Sequence, residues 1–275
     1  MYDIHTAMGH WPFRRVPNQA PDALRRLLEE HGIDGAAVAN THGLFYKNCH
    51  DANLELAEAI APHAGFLTGV ATLNPAYAAW ERDLAACAEI LGLRAVRLAP
   101  QYHGYALGDP AAIALVRAAT AMGLPIFLPH RVVDVRQRHW LDTEQTTSLG
   151  EAVGLCRAVP EARVLVTELA VSAGALRALE GGPVCGNLYL ETSRLASCHG
   201  QVLAQVVKLM GPEHVVFGSG APFKEILPAQ LKVRHADLTA AERKAVSGGS
   251  ARRLLGLDRG QSERGNRLPW SHRPS

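Results

Sequence analysis

The chain has 275 residues, 48% of them apolar, 20% charged and 6% aromatic, with a formal net charge of +2. That length suits one large α/β unit, and the apolar fraction is ample for a packed core, which excludes wholesale disorder. The charge excludes the basic stripe of a nucleic-acid-binding module: the +2 resides in residues 258–275, where Arg259, Arg264, Arg267 and Arg273 face only Asp258 and Glu263.

In chain order, short apolar runs bounded by turn residues predict eight strands buried on both faces, at residues 2–7, 35–40, 65–73, 94–100, 125–130, 163–169, 187–192 and 214–218. Amphipathic segments separate them. Ala20-Pro21-Asp22 opens the first helix, with Leu24, Leu27 and Leu28 on one face and His31-Gly32 at its end. Asp51 is read as the cap of the next, which runs through Leu54, Leu56 and Ile60. Asp109-Pro110 opens another that stops at Met122-Gly123, and Thr239-Ala-Ala-Glu242 forms a capping box. Eight β-α units in about 250 residues predict a (β/α)8 TIM barrel. An open doubly wound sheet would want a Gly-rich phosphate turn after its first strand, and His5-Thr-Ala-Met-Gly9 is not one. The barrel is assigned to residues 1–257 and a flexible basic tail to 258–275.

No run of apolar residues is long enough for a transmembrane helix, and the N-terminus lacks the pattern of a signal peptide. The five cysteines are odd in number and never spaced C-x-x-C, as expected of reduced thiols in a cytoplasmic protein. Cys87 and Cys156 fall in helical patterns and are read as packing. His31, His63, His214, His235 and His272 are expected at the surface.

Chemistry in such a barrel collects at the C-terminal ends of the strands. Those positions offer His5 and His10, then Asn40, Thr41 and His42, then Arg97 with His103 and Tyr105 in its loop. Further on they offer His130 and Arg131, Glu168, then Glu191, Ser193 and Arg194, and lastly Ser219 and Gly220. Glu168 and Glu191 qualify as a general acid and base if the site splits their pKa values, or as ion-pair partners of Arg97 or Arg131. Arg97 carries a planar fork suited to a carboxylate. His103 and Tyr105 are placed on the substrate, with His130 and Arg131 beside them; the segment from His10 through Trp11 to Arg14 is read as a lid.

Asp3-Ile-His5-Thr-Ala7-Met-Gly9 resembles the opening D-x-H-x-H-x-G of the amidohydrolase-related (family 2) barrels. Phe217-Gly-Ser-Gly220-Ala-Pro222 is similar to their F-G-[ST]-D-x-P, Gly249 to Leu257 to their final helix, and Gly123 to Pro129 to their fifth strand. The resemblance covers residues 1–257 and implies a metal-dependent hydrolase or a non-oxidative decarboxylase of small carboxylic acids. It also implies a ligand set that this chain has largely lost. The second histidine of the opening pair is Ala7, the strand-five histidine falls on Pro129, the strand-six histidine on Glu168 and the strand-eight aspartate on Gly220. A catalytic metal needs about three protein ligands and an open position. The expectation is therefore a metal-independent hydrolase acting on a C–N bond of a small carboxylated or amide-bearing molecule. His5, Glu168 and Glu191 would be catalytic, and no cofactor would be needed. The alternatives are a decarboxylase or other lyase of the same superfamily, an inactive ligand-binding or scaffolding descendant, and a metalloenzyme with zinc or manganese held by His5, His130 and Glu168. The resemblance further implies a homodimer.

Overall fold

A computed structural model describes residues 1–170, 186–195 and 201–258. Eight parallel strands stand side by side in sequence order: β1 Tyr2–Met8, β2 Gly35–Asn40, β3 Leu67–Thr72, β4 Ala95–Arg97, β5 Ile126–Pro129, β6 Val164–Thr167, β7 Leu188–Glu191 and β8 Val215–Val216. All eight fall inside the predicted runs except β1, which extends one residue further. The ring closes through backbone bonds from Ile4 N to Phe217 O at 3.0 Å, from Gly220 N to His5 O at 2.9 Å and from Ala7 N to Ala221 O at 2.9 Å. This is the (β/α)8 barrel the alternation predicts.

Two apolar layers follow from the strand period of two. Inward-facing Tyr2, Ile4, Ala37, Ala39, Val70, Ala95, Phe127, Leu165 and Val216 fill the barrel, and Ala251, Leu254 and Leu255 from its last helix close the floor. Intervening residues such as Val38, Val96, Leu128, Val164 and Leu190 pack outward against the helices through Leu24, Leu28, Leu56, Leu115 and Leu155.

The helix boundaries follow local chemistry. Pro21 takes the first turn of helix Pro21–Glu30, which buries Leu24 and Leu28. The cap of Cys49–Ile60 is Asn48, whose side chain accepts from His50 N, rather than Asp51; Asp51 instead accepts from Asn48 Nδ2 at 2.8 Å in the first turn. The capping box at Thr239 and Glu242 is present, and Ser148 with Glu151 forms a second that the sequence reading passed over. His63 is buried, its Nε2 3.1 Å from Asp22, where a surface position was expected. Cys49, Cys87 and Cys156 are buried free thiols; Cys185, Cys198 and residues 259–275 of the tail lie outside the described residues. No described helix is long and apolar enough to cross a membrane.

Candidate active site

The barrel mouth holds a pocket of about 580 Å³, its open side included. Ala7, Ala39, Val70, Phe127, Pro129 and Phe223 give it apolar walls, and Arg97, Arg131, His5 and Glu168 give it polarity. Its roof is aromatic. Trp11 is buried, with ring centroids 5.3 Å from Phe13, 5.4 Å from Phe45 and 5.2 Å from Phe223. The Trp11 segment, read from the sequence as a lid, packs against Phe223, which lines the pocket. His42 pins it: Nε2 accepts from His10 N at 2.9 Å while Nδ1 donates to Glu55 at 2.7 Å.

Three local irregularities aim the polar groups. Ile4 faces the barrel interior, so strict alternation would send His5 outward, but the β1–β2 register shifts between Asp3 and Thr6 and turns its ring into the mouth. Thr167 ends β6 facing the pocket. Glu168 then adopts a left-handed backbone at φ 60°, an uncommon conformation for a residue with a side chain, which swings its carboxylate into the same mouth. Gly218 supplies space: a Cβ there would lie 2.5 Å from Glu191 Oε2 and 3.0 Å from the His5 Cβ. Arg97 and Glu191 need no such device, because the period of two already points them inward.

His5, Glu168 and Glu191 therefore meet. His5 Nδ1 lies 3.6 Å from Glu191 Oε1 and 3.7 Å from Glu168 Oε1, ionic approaches longer than a hydrogen bond. Both carboxylates are almost wholly buried, at 1% and 2% exposure, so compensation decides their charge state. Glu168 Oε2 accepts from Arg194 Nε at 2.8 Å, and Arg194 continues to Asp134. Glu168 Oε1 accepts from Lys224 Nζ at 2.5 Å. Glu191 accepts from the Ser193 hydroxyl at 2.6 Å and from Glu168 N at 2.8 Å. Lys224 Nζ also donates to Ser193 Oγ at 2.9 Å, and Lys232 supports the segment from below through the Ser193 carbonyl at 2.6 Å.

These contacts set the protonation states. Burial works against a charged His5, but Glu191 first and Glu168 after it outweigh that, and the imidazole pKa is raised above 6.5. Burial would lift Glu191, yet His5, Lys224 and Ser193 hold it below the ordinary carboxylate range. Asp3, behind His5, is fully buried, and burial pushes it up to about 6 although Oδ1 accepts from His5 N and Ser219 N at 3.0 Å each.

The remaining predicted residues divide. Arg97 is buried at 8% exposure; it donates to Thr72 Oγ1 and to the Asn40 carbonyl, and no carboxylate pairs with it among the described residues. Arg131 lines the same pocket, also without a carboxylate within ion-pair distance among the described residues, and its Nε is buried without a hydrogen bond. Of the carboxylates expected to pair with these arginines, Glu168 pairs instead with Arg194 and Lys224, and Glu191 faces His5 and accepts from Ser193. His130 projects away from the pocket and bonds the Thr147 carbonyl through Nδ1 at 2.7 Å. His103 bonds the Gly43 carbonyl at 3.0 Å and stands 3.7 Å from Cys49 Sγ; neither it nor Tyr105 lines the pocket. Burial pushes the Cys49 thiol up to about 11, so it is not a poised nucleophile. The sequence reading missed Lys224, which lies two residues past the Ala221-Pro222 motif in a loop with no pattern of its own.

One nitrogen and two carboxylate oxygens, from His5, Glu168 and Glu191, lie within 4.8 Å of one another, so the metal-capable group has Glu191 where His130 was expected. Lys224 and Ser193 already bond those oxygens, and a divalent ion placed there would stand against the ammonium. With Lys224 in place the trio does not fit a divalent metal.

The sequence model of the amidohydrolase family matches residues 2–257. Solved structures of similar shape include 5-carboxyvanillate decarboxylase from Sphingomonas paucimobilis, with a TM-score of 0.69 and 16% identity over 93% of this chain and 98% of that one. The 2,6-dihydroxybenzoate decarboxylase of Rhizobium gives 0.68 and 18%, over 94% and 98%. The dihydroxybenzoic acid decarboxylase of a Polaromonas species, solved with manganese and 2-nitroresorcinol, gives 0.70 and 17%, over 94% and 98%. At such identities the likeness carries the fold. Among curated proteins none matches the sequence.

Proposed function

The chain belongs to the amidohydrolase family, and from that premise we propose that it is a lyase that removes carbon dioxide, without oxidation, from a small, largely apolar carboxylic acid. The observation that carries this reading is one pocket lined by two arginines without acidic partners among the described residues and by His5, which faces the buried carboxylates of Glu168 and Glu191. A buried guanidinium without a carboxylate calls for an anionic oxygen from outside; Arg97 is such a group, and the half-buried Arg131 supplies a second fork at the same pocket. The Ala, Val, Phe and Pro walls suit a flat hydrocarbon body.

The direction of proton transfer favours decarboxylation over the C–N hydrolysis first expected from the sequence. Hydrolysis needs a base to activate water. Here the two glutamates favour imidazolium, an acid. Nδ1 faces the carboxylates, which leaves Nε2 for the substrate. In the proposed step the C–C bond to the carboxylate breaks, carbon dioxide leaves, and the proton of His5 Nε2 ends on the carbon that bore it. Solvent then reprotonates the imidazole. Glu191 and Glu168 hold the ring charged and oriented, Arg97 and Arg131 bind substrate oxygens, and the Trp11 roof excludes water. The three solved relatives named above are decarboxylases of aromatic acids, which makes hydroxylated benzoates the first substrates to try.

The test is incubation with a panel of hydroxybenzoates and arylamides, with carbon dioxide and amine release read in parallel. Carbon dioxide release by the wild type but not by His5→Gln supports the proposal. Amine release from an amide returns the site to hydrolysis. Binding by calorimetry without any turnover assigns a ligand-binding descendant. A charge-assisted hydrogen bond is worth about 1.5–3 kcal/mol, so Arg131→Met should weaken carboxylate binding by roughly 10- to 100-fold.

A further inference from the structure

We propose that Lys224 is an internal cation that takes the place of a divalent metal between Glu168 and Glu191, and that removing it uncovers a metal site formed by His5, Glu168 and Glu191. Two carboxylates this deeply buried demand positive charge at close range. Arg194 serves the outer oxygen of Glu168 only, since its Nη1 is spent on Asp134. The inner oxygens, Glu168 Oε1 and Glu191 Oε1, both face His5 Nδ1 and both contact the Ser193 hydroxyl, at 3.2 and 2.6 Å. Lys224 Nζ bonds that same hydroxyl and Glu168 Oε1, so one ammonium closes the group of inner oxygens.

The path of the lysine explains the glycine at 220. Gly220 has φ 78°, and a Cβ there would lie 2.9 Å from Glu168 Oε1 and 3.1 Å from Lys224 Cδ. The bare position that resembles the family's strand-eight aspartate therefore leaves room that Lys224 uses. Glu168, Gly220 and Lys224 thus meet at one tight turn, with the bare Cα of Gly220 against both side chains.

This inference concerns occupancy of the site and does not depend on the substrate, so its test is read without turnover. Wild type, Lys224→Met, Lys224→Arg and Lys224→Met/Glu191→Gln proteins are purified without chelator and dialysed against manganese or zinc. Metal content and melting temperature are then measured with and without EDTA. The expected result is about one ion per chain in Lys224→Met alone, with a melting temperature that EDTA lowers, since binding to the folded state stabilises it. The double variant, Lys224→Arg and the wild type should stay metal-free and EDTA-insensitive. About one ion per chain in the wild type or in Lys224→Arg overturns the proposal, as does a folded Lys224→Met protein that takes up none. If Lys224→Met does not fold, Lys224→Gln, which removes the charge and keeps a polar group, is measured in its place with the same expected and contradicting results.

Discussion

Asp3 and His5, next but one to each other in β1, both have raised pKa values that pH can test. His5 is held above its ordinary value by Glu191 and Glu168. As a proton donor it is active below its folded pKa and inactive above it, so the alkaline limb of kcat should lie above pH 6.5. Glu191→Gln removes the largest favourable partner and should move that limb to lower pH; a profile that does not move would show that Glu191 does not set the acid. Asp3 has the opposite sign for stability. Its folded pKa, about 6, exceeds the ordinary 3.8, so the unfolded chain ionises first and stability falls as pH rises between those values. Two units correspond to on the order of 3 kcal/mol. Asp3→Asn keeps an acceptor for His5 N and Ser219 N and should escape this loss. The stability advantage of wild type over Asp3→Asn should therefore shrink, or reverse, between about pH 4 and pH 7, as read by urea unfolding; a constant difference would contradict it. His5, Glu168, Glu191, Arg97 and Arg131 were all legible as strand-end residues. Lys224 was not, because nothing in its loop marks it and only the space left at Gly220 brings it in.

At the scale of elements, the strands were legible because burial on both faces leaves unbroken apolar runs, while their ends were overestimated. Buried apolar residues continue past the strand ends: Leu73 and Leu98 lie beyond β3 and β4 and still donate to Arg97 O and Phe127 O. β8 is the extreme case, two residues long, because Phe217 N bonds Val246 O and residues 217–221 bond β1 outside the regular ladder. The devices that aim the site were the illegible part. The shift beside His5 and the left-handed Glu168 depend on neighbours in space, and a period-two reading points both side chains the wrong way. The turn after β8 makes the same point through Gly220. Gly220→Ala would place a Cβ at positive φ against Glu168 and Lys224 and should destabilise the barrel by about 1–3 kcal/mol. Urea unfolding checks this, and a variant as stable as wild type would show that the turn has room to spare.

At the scale of the whole molecule, a neutral barrel body places two arginines, Arg97 and Arg131, that have no acidic partner among the described residues in one apolar-walled mouth beside a buried acid–base cluster. The floor is closed by Leu254 and Leu255, and the pocket opens at the opposite end, beside the Trp11 and Phe223 cluster. That arrangement favours an anionic substrate and proton delivery, with the compensating cation supplied by the chain itself. The central claim is that His5 delivers a proton to carbon without help from a metal. Its most direct test is turnover of a hydroxybenzoate by EDTA-dialysed protein in deuterated water, followed by NMR of the product. The account predicts one deuteron at the carbon that carried the carboxylate, at a rate EDTA does not change and His5→Gln abolishes. Turnover lost to EDTA and restored by manganese, or undiminished in His5→Gln, would contradict it.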